Sequence, residues 1–357
     1  MPYSTKKSPE MRVLVLRFSA LGDLALLLPV LQSWQTQNPD LEIAMLSRSW
    51  AKPLFSPLPL RFYGAELQTK HRGLKGLWRL SREVASDFKP ELIVDQHQVL
   101  RSQILRQFWR LQGIPSLALK KDRSARKALT RYPHKERKAL PHVTELYRAT
   151  FARSGWPCTF DPQRTPALNF PAKAETAALW ERERGSYNLG VAPFAQHRGK
   201  RWPRRHLIAC LQQLEHQGLH LWLWGSPGEQ NALEEIGRAS RQPYTNMAGR
   251  LPLDQEVALM AKLDLLLAMD SANMHLARLS NTPVVSIWGA THPLAGFAPL
   301  GEKPERQIQR GPEELDCRPC SIFGAKACFR GDYACLEGLE AQRVQRAIDK
   351  EISNQPG

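Results

Sequence analysis

No stretch of about 18 uninterrupted apolar residues occurs in this chain of 357; the richest run, Leu24 to Leu31, is short and interrupted by Pro29. A bilayer-spanning helix is therefore not expected. The polar first ten residues carry Lys6 and Lys7, but no apolar segment of signal-peptide type follows them, so a cytoplasmic location is the expectation. The turn after the first apolar run lacks the G-x-G-x-x-G of a dinucleotide fold, which argues against a dehydrogenase. Asp-x-Asp is also missing, and with it the carboxylate pair that bridges a metal to a diphosphate in many enzymes of sugar transfer. Cysteine is sparse, at 6 residues, and four of these are bunched near the C-terminus.

What is present is length and positive charge. A chain of this size is long for one domain and comfortable for two, each able to bury its own core. The net charge is +16, and residues 1–170 hold 28 Lys and Arg against 13 Asp and Glu, whereas residues 171–357 hold 22 against 21. Such asymmetry points to an anionic partner for the first half: nucleic acid, an anionic membrane surface or a phosphorylated substrate. The densest stretch is 120–138, with Lys120, Lys121, Arg123, Arg126, Lys127, Arg131, Lys135, Arg137 and Lys138. The plain alternative is a solvated helix or loop with no partner.

The pattern along the chain is that of parallel sheets with covering helices. A strand over Met11 to Phe18, a tight turn and an apolar-periodic helix from Leu24 to about Gln35 open the first half, followed by apolar runs at Leu41 to Leu46 and Leu92 to Val94. The second half repeats the logic at Leu189 to Phe194, Leu219 to Trp224, Leu263 to Met269 and Pro283 to Trp288. Between them, roughly over 155–187, Pro157, Pro162, Pro166 and Pro171 mark a linker, and the expected domains are 1–170 and 171–357. Ligands of such folds bind beyond the carboxyl ends of the strands, so the informative residues should follow each strand.

Four segments fit. In Ser19-Ala20-Leu21-Gly22-Asp23, Gly22 permits close backbone approach, and Asp23, at a helix start, is favoured in its ionised form and can take a proton from a hydroxyl nucleophile; an N-capping aspartate is the simpler alternative. After the strand at 189–194, Arg198, Lys200 and Arg201 supply cations that can clamp a diphosphate, and Trp202-Pro203 begins a helix. In Trp224-Gly225-Ser226-Pro227-Gly228-Glu229, Glu229 can accept from a ribose diol, or can simply be an acidic residue of a first helical turn. In Asp270-Ser271-Ala272-Asn273-Met274-His275, Ser271 and Ala272 let backbone NH groups approach a phosphate and Asp270 can bind sugar hydroxyls, while His275 is either catalytic or a hydrogen-bonded core histidine. The turn containing Thr291 is suited to line the same pocket.

Taken in order, RFSALGD, VDQHQVLRS (Val94 to Ser102), HVTELY (His142 to Tyr147), GKRWP, WGSPGE, NMAGRLPL (Asn246 to Leu253), MDSANMHLA and IWGATHP resemble the segments of glycosyltransferase family 9, the ADP-heptose:lipopolysaccharide heptosyltransferases. The resemblance extends over most of the chain. It implies an α/β fold of GT-B type, two Rossmann-like domains facing each other across a cleft, and inverting transfer of a sugar, heptose above all, from a nucleoside-diphosphate donor held by the second domain. The acceptor it implies is an anionic lipid-linked glycan of the lipid A–Kdo core type, held by the first domain, which makes the protein peripheral to the inner membrane. Asp23 matches the family's catalytic base, Lys200 the lysine on the donor phosphates, and Asp270, Ser271 and Ala272 the donor-sugar and pyrophosphate segment. With these go Arg201, Glu229, His275 and Thr291 on the donor side, and Ser19, Gly22 and Arg101 at the acceptor. Ala272 departs from the glycine usual there, and WGSPGE and Asp95 to Gln98 are variants. No cofactor is implied beyond the donor, which is a substrate.

Cys317, Cys320, Cys328 and Cys335 form C-x-x-C followed by gaps of seven and six residues, which in a cytoplasmic chain suggests metal before disulfides; no catalytic metal is expected, and a structural zinc stands as one reading beside a structural, redox-sensitive or merely packed cluster. Cys158 and Cys210 are isolated and read as buried thiols. Two other functions stay open from the residues themselves. A sugar-nucleotide epimerase of similar fold would use the same nucleotide pocket without an anionic acceptor. A basic nucleic-acid-binding protein would explain the charge, but no nucleic-acid motif accompanies it and the donor segments would have no purpose.

Overall fold

The computed structural model describes residues 11–353, so Lys6 and Lys7 lie outside it. In chain order the elements are β1 (Met11–Leu16), α1 (Leu21–Gln37), β2 (Leu41–Arg48), β3 (Arg61–Ala65), α2 (Gly73–Asp87), β4 (Leu92–Asp95), α3 (Leu100–Arg110), β5 (Ser116–Ala118), α4 (Arg123–Thr130) and α5 (Val143–Ala152). They continue as α6 (Ala174–Glu183), β6 (Tyr187–Ala192), α7 (Arg204–Gln212), β7 (Leu219–Leu223), α8 (Gln230–Ser240), β8 (Tyr244–Asn246), α9 (Leu253–Met260), β9 (Leu265–Met269) and α10 (Ala272–Arg278). The last elements are β10 (Val284–Ile287), β11 (Gln307–Ile308), α11 (Ala334–Glu337) and α12 (Ala341–Ser353).

The strands form two sheets, ordered β3-β2-β1-β4-β5 and β11-β10-β9-β6-β7-β8, and every pairing is parallel. Parallel strands need crossover connections, here mostly helices on the sheet faces, and strands covered on both faces read as unbroken apolar runs. The central strands obey this: Val13 to Leu16 and all of β9 are buried. Each unit has its own core. In the first, Leu14, Leu16, Ala44 and Ile93 of the sheet pack on Leu77, Leu80 and Val84 of α2 and on Leu105 and Trp109 of α3. In the second, Leu189, Leu221, Leu265 and Ile287 meet Leu207 and Leu211 of α7, Leu233 of α8 and Val344 and Ile348 of α12.

Contacts divide the chain into 1–121 with 143–161, and 122–142 with 162–357. The turn in chain membership falls near the proline-marked linker, but the excursion 122–142 is not visible in composition. It packs with the second unit because Leu140 N–H donates to the Leu294 carbonyl at 2.9 Å and Lys135 Nζ donates to the carbonyls of Cys317 and Pro319 at 3.1 and 2.8 Å. The charge reading changes with it. Counted over these units, Lys and Arg outnumber Asp and Glu by 20 to 11 in the first and by 30 to 23 in the second, so the excess expected for one domain is shared by both.

Candidate active site

Each sheet has one place where the strand order reverses, and there two neighbouring loops leave in opposite directions and open a crevice at the strands' carboxyl ends. In the first sheet this place lies between β1 and β4, and in the second between β6 and β9. The loops that follow those four strands begin at Arg17, Gln96, Pro193 and Asp270. Most of the sequence candidates lie on or just beyond them, whereas Glu229 follows β7 and Thr291 follows β10.

In the first unit, α1 begins at Leu21, three residues earlier than the apolar period suggests, because Leu21 and Gly22 already turn. Asp23 is therefore in the first turn and not the N-cap. One carboxylate oxygen accepts from the Ala20 N–H at 3.4 Å and pairs with Arg17 at 2.9 Å; the other accepts from the Tyr147 hydroxyl at 3.1 Å. Arg17 is buried, which lowers its pKa, but the Asp23 charge and hydrogen bond, with the Tyr147 oxygen beside them, outweigh burial and hold the guanidinium above its ordinary value. The buried cation beside Asp23 fixes the direction of the carboxylate. Arg17 is in turn anchored on the Gln96 carbonyl, and its face lies 5.3 Å from the centre of the Tyr147 ring.

From the β4 side, Asp95 is fully buried and accepts from the backbone of His97 and Gln98 at 2.9 and 2.8 Å, which shapes the turn. His97 Nδ1 accepts from Phe18 N–H at 3.4 Å, and Nε2 lies 3.4 Å from Ser19 Oγ. Burial, then Arg17 and Lys121, push the His97 pKa down to about 3, so the ring is neutral. Nδ1 as acceptor leaves the proton on Nε2, facing Ser19. Lys121 Nζ closes the turn by donating to the His97 carbonyl at 2.6 Å. Gly22 lies beside Asp23, and Arg101 is exposed in the first turn of α3. The motifs contained Arg17, His97 and Tyr147, but nothing in their spacing says that Arg17 and Tyr147 meet Asp23 or that His97 meets Phe18 and Ser19; only the β1–β4 pairing and the return of α5 do.

In the second unit, Lys200 and Asp270 form an ion pair at 2.9 Å with both side chains largely buried. Lys200 sits in a short 3-10 turn, Arg198–Lys200, and Asp270 directly follows β9. Ser271 is the N-cap of α10, and its hydroxyl, like that of the fully buried Thr291, is buried without a hydrogen-bond partner among the described residues. Buried polar atoms without partners are costly, and their concentration after β9 and β10 fits a surface that a polar ligand completes. His275 is buried on α10.

The other cations of the loop meet protein groups. Arg201 turns back to the carbonyls of Ala195 and Gln196, and Arg198 lies 4.5 Å over the Tyr333 ring. Glu229 binds the Ser226 N–H and hydroxyl through one oxygen, at 2.7 and 2.8 Å, as a helix-start acid does. What supports Lys200 was missed in the sequence. The Gly199 carbonyl accepts from Ala290 N–H at 2.7 Å; a Cβ on Gly289 would stand 2.4 Å from that carbonyl, and one on Gly324 would stand 2.8 Å from the Lys200 stem.

The cysteine-rich tail thus braces the lysine, but the zinc reading is not supported. Among the described residues no group of three or more His, Cys, Asp or Glu is arranged to hold a metal ion, and all six cysteines are free thiols. The Cys320 and Cys328 thiols point to other acceptors, the Ala290 carbonyl at 3.7 Å and Asp332 at 3.9 Å. Burial pushes Cys335 up to about 12, and the isolated Cys158 and Cys210 to about 12 as well, which makes all three inert thiols.

Comparison with known proteins places the chain in a family. The lipooligosaccharide heptosyltransferase 2 of Haemophilus influenzae is 27% identical over 303 residues, covering 79% of this chain and 84% of that protein. Among solved structures, the glycosyl transferase family 9 protein of Veillonella parvula aligns with a TM-score of 0.77 at 16% identity, over 97% of this chain and 98% of that one. The E. coli ADP-heptose lps heptosyltransferase II aligns with a TM-score of 0.68 at 21% identity, over 96% and 99%. These likenesses show the fold, two Rossmann-like domains of GT-B type. The model of glycosyltransferase family 9 (heptosyltransferase) matches residues 76–319, more than half of the chain, and the protein belongs to that family of glycosyltransferases.

Proposed function

We propose that the protein transfers heptose from ADP-heptose, with inversion, to an anionic lipid-linked glycan of lipopolysaccharide inner-core type. The observation that carries this is the buried Lys200–Asp270 pair at the reversal point of the second sheet, beside the unpartnered Ser271 and Thr291 hydroxyls. Diphosphate oxygens gain charge as the anomeric C–O bond breaks, and a desolvated ammonium stabilises that charge far better than a hydrated one. In this reading Lys200 swings from Asp270 toward the leaving diphosphate, and Asp270 turns to the sugar hydroxyls. Ser271, Ala272 and Thr291 line the donor, with His275 supporting the helix behind them. Arg201 and Glu229 act at one remove, by shaping the loops that carry Lys200 and the nucleotide.

The first unit takes the acceptor. Asp23 accepts the proton of the attacking hydroxyl; the hydroxyl oxygen bonds to the anomeric carbon; the electrons of the broken bond leave on ADP. Ser19, Gly22 and Arg101 meet the acceptor around that hydroxyl. The reaction needs no cofactor in this reading. The names of the relatives support the sugar and the acceptor, as heptosyltransferases of lipooligosaccharide and lipopolysaccharide. No helix among the described residues is long and apolar enough to cross a membrane, and the protein works from the cytoplasmic side as a peripheral protein of the inner membrane.

A donor screen tests the reading: ADP-heptose, UDP-sugars and GDP-sugars, each offered with a deacylated lipopolysaccharide core. ADP release and a mass gain of one heptose, only with ADP-heptose, is expected. Turnover of another donor instead would reassign the sugar, and donor isomerisation without acceptor would favour an epimerase.

A further inference from the structure

The function proposed above leaves one surface of the second unit unused. Segment 123–138 carries seven cations against the single carboxylate of Glu136, and it packs against the loop that joins Cys317 to Tyr333. Large rings stand in solvent where the two meet: Tyr132 and Phe323 are 50% exposed and Phe329 57%. The Tyr132 and Phe329 rings are turned toward each other at 4.9 Å, Lys135 Nζ lies 6.0 Å from the Tyr132 ring, and the Arg126 guanidinium lies 5.6 Å from Phe323. Exposed rings cost free energy in water, and three of them gathered inside a cationic field mark a surface with a partner.

We propose that this surface docks the protein on an anionic phospholipid bilayer. Tyr132, Phe323 and Phe329 enter the headgroup region, where amphipathic and aromatic rings settle, and the exposed Arg123 and Lys127, one turn apart on α4, face the lipid phosphates. Charge selects this occupant. A second copy of the chain would set the same cations against each other in a two-fold contact, so self-association through this face is opposed. A single-stranded nucleic acid needs ring faces on which bases stack, and here Tyr132 and Phe329 already face one another. The proposal deepens the reading of a lipid-linked acceptor and rests on it for its purpose; the contact itself needs no acceptor.

The test sediments the full chain with phosphatidylcholine vesicles, with and without phosphatidylglycerol, none containing glycolipid. Binding only to the anionic vesicles is expected, falling at least about tenfold as salt shortens the screening length from ~10 Å to ~3 Å. The ring variant Tyr132→Ser with Phe329→Ser, and the charge variant Arg123→Glu with Lys127→Glu, should each lose about tenfold in partitioning. Both should keep ADP affinity and transfer to a deacylated core, which certifies the fold. No binding by the native chain, equal binding to neutral vesicles, native-like partitioning of both variants, or displacement by oligonucleotide would overturn the proposal. Vesicle binding without heptose transfer would instead overturn only the function proposed above.

Discussion

Asp23 has three ligands of its own, and each answers a different need: the Ala20 N–H fixes one oxygen, Arg17 keeps the charge, and the Tyr147 hydroxyl sets the other oxygen. Replacing Asp23 by Asn keeps the shape and removes the proposed base. The expected result is a fall in kcat of about 10²–10⁴ with ADP affinity unchanged by calorimetry, because the base acts on the acceptor. Wild-type turnover would exclude the role. Lys200→Ala should weaken ADP binding and slow transfer together, since it also leaves the buried Asp270 carboxylate uncompensated. Unchanged ADP affinity would remove Lys200 from the donor site. His97 gives a prediction about pH. Its pKa falls from 6.5 to about 3 on folding, so between those values the unfolded chain binds the extra proton. Its stabilising effect is complete above pH 6.5, declines as pH falls, and is gone near 3. The urea midpoint should therefore drop from pH 7 to pH 5, and drop less in His97→Gln; identical slopes would show that His97 is not the group. At this scale the sequence was half legible. Asp23, Lys200 and Asp270 follow strands and could be read from order alone, whereas Arg17, His97 and Tyr147 gain meaning only from contacts about 80 and 124 residues apart.

At the scale of elements, the strands that were read from apolar runs are the central ones, and those that escaped are at the edges. β3, β5, β8 and β11 have two to five residues each and are partly exposed, so neither length nor hydrophobicity separates them from loops. The sheet order, which decides where the crevices lie, was not legible at all, because register is set by which strands pair and not by any one strand. The same applies to the support of the lysine turn. Gly289 looks like an ordinary turn residue until the Gly199 carbonyl is seen to pass 2.4 Å from where its Cβ would be. Backbone cannot yield as a flexible side chain does, so Gly289→Ala should displace the Arg198–Lys200 turn. A loss of ADP affinity of about tenfold or more is expected, roughly the effect of 1.4 kcal/mol, with the first unit untouched. If ADP binds the variant normally, the turn does not depend on Gly289.

For the molecule as a whole, charge is the property that composition revealed and packing redistributed. Both units are basic, by 20 to 11 and 30 to 23, yet the two binding functions proposed for them meet that charge differently. In the proposed function donor binding rests on Lys200, whose side chain is largely buried against Asp270. Salt screens such short, desolvated contacts weakly. In the same proposal acceptor binding draws on exposed cations, among them Arg101 and Lys120, whose pull on an anionic glycan reaches through solvent and is screened over about 10 Å at 0.1 M salt. Raising the ionic strength should therefore lower the apparent affinity for a soluble, deacylated core several-fold while leaving the KM for ADP-heptose nearly constant. Lys121 would be a poor choice for neutralisation, because it holds the His97 turn through the His97 and Gln98 carbonyls. Arg101→Gln with Lys120→Gln avoids that contact and should reproduce the high-salt behaviour at low salt, with donor kinetics preserved. Should both substrates lose affinity in parallel as salt rises, the excess charge steers neither of them in particular.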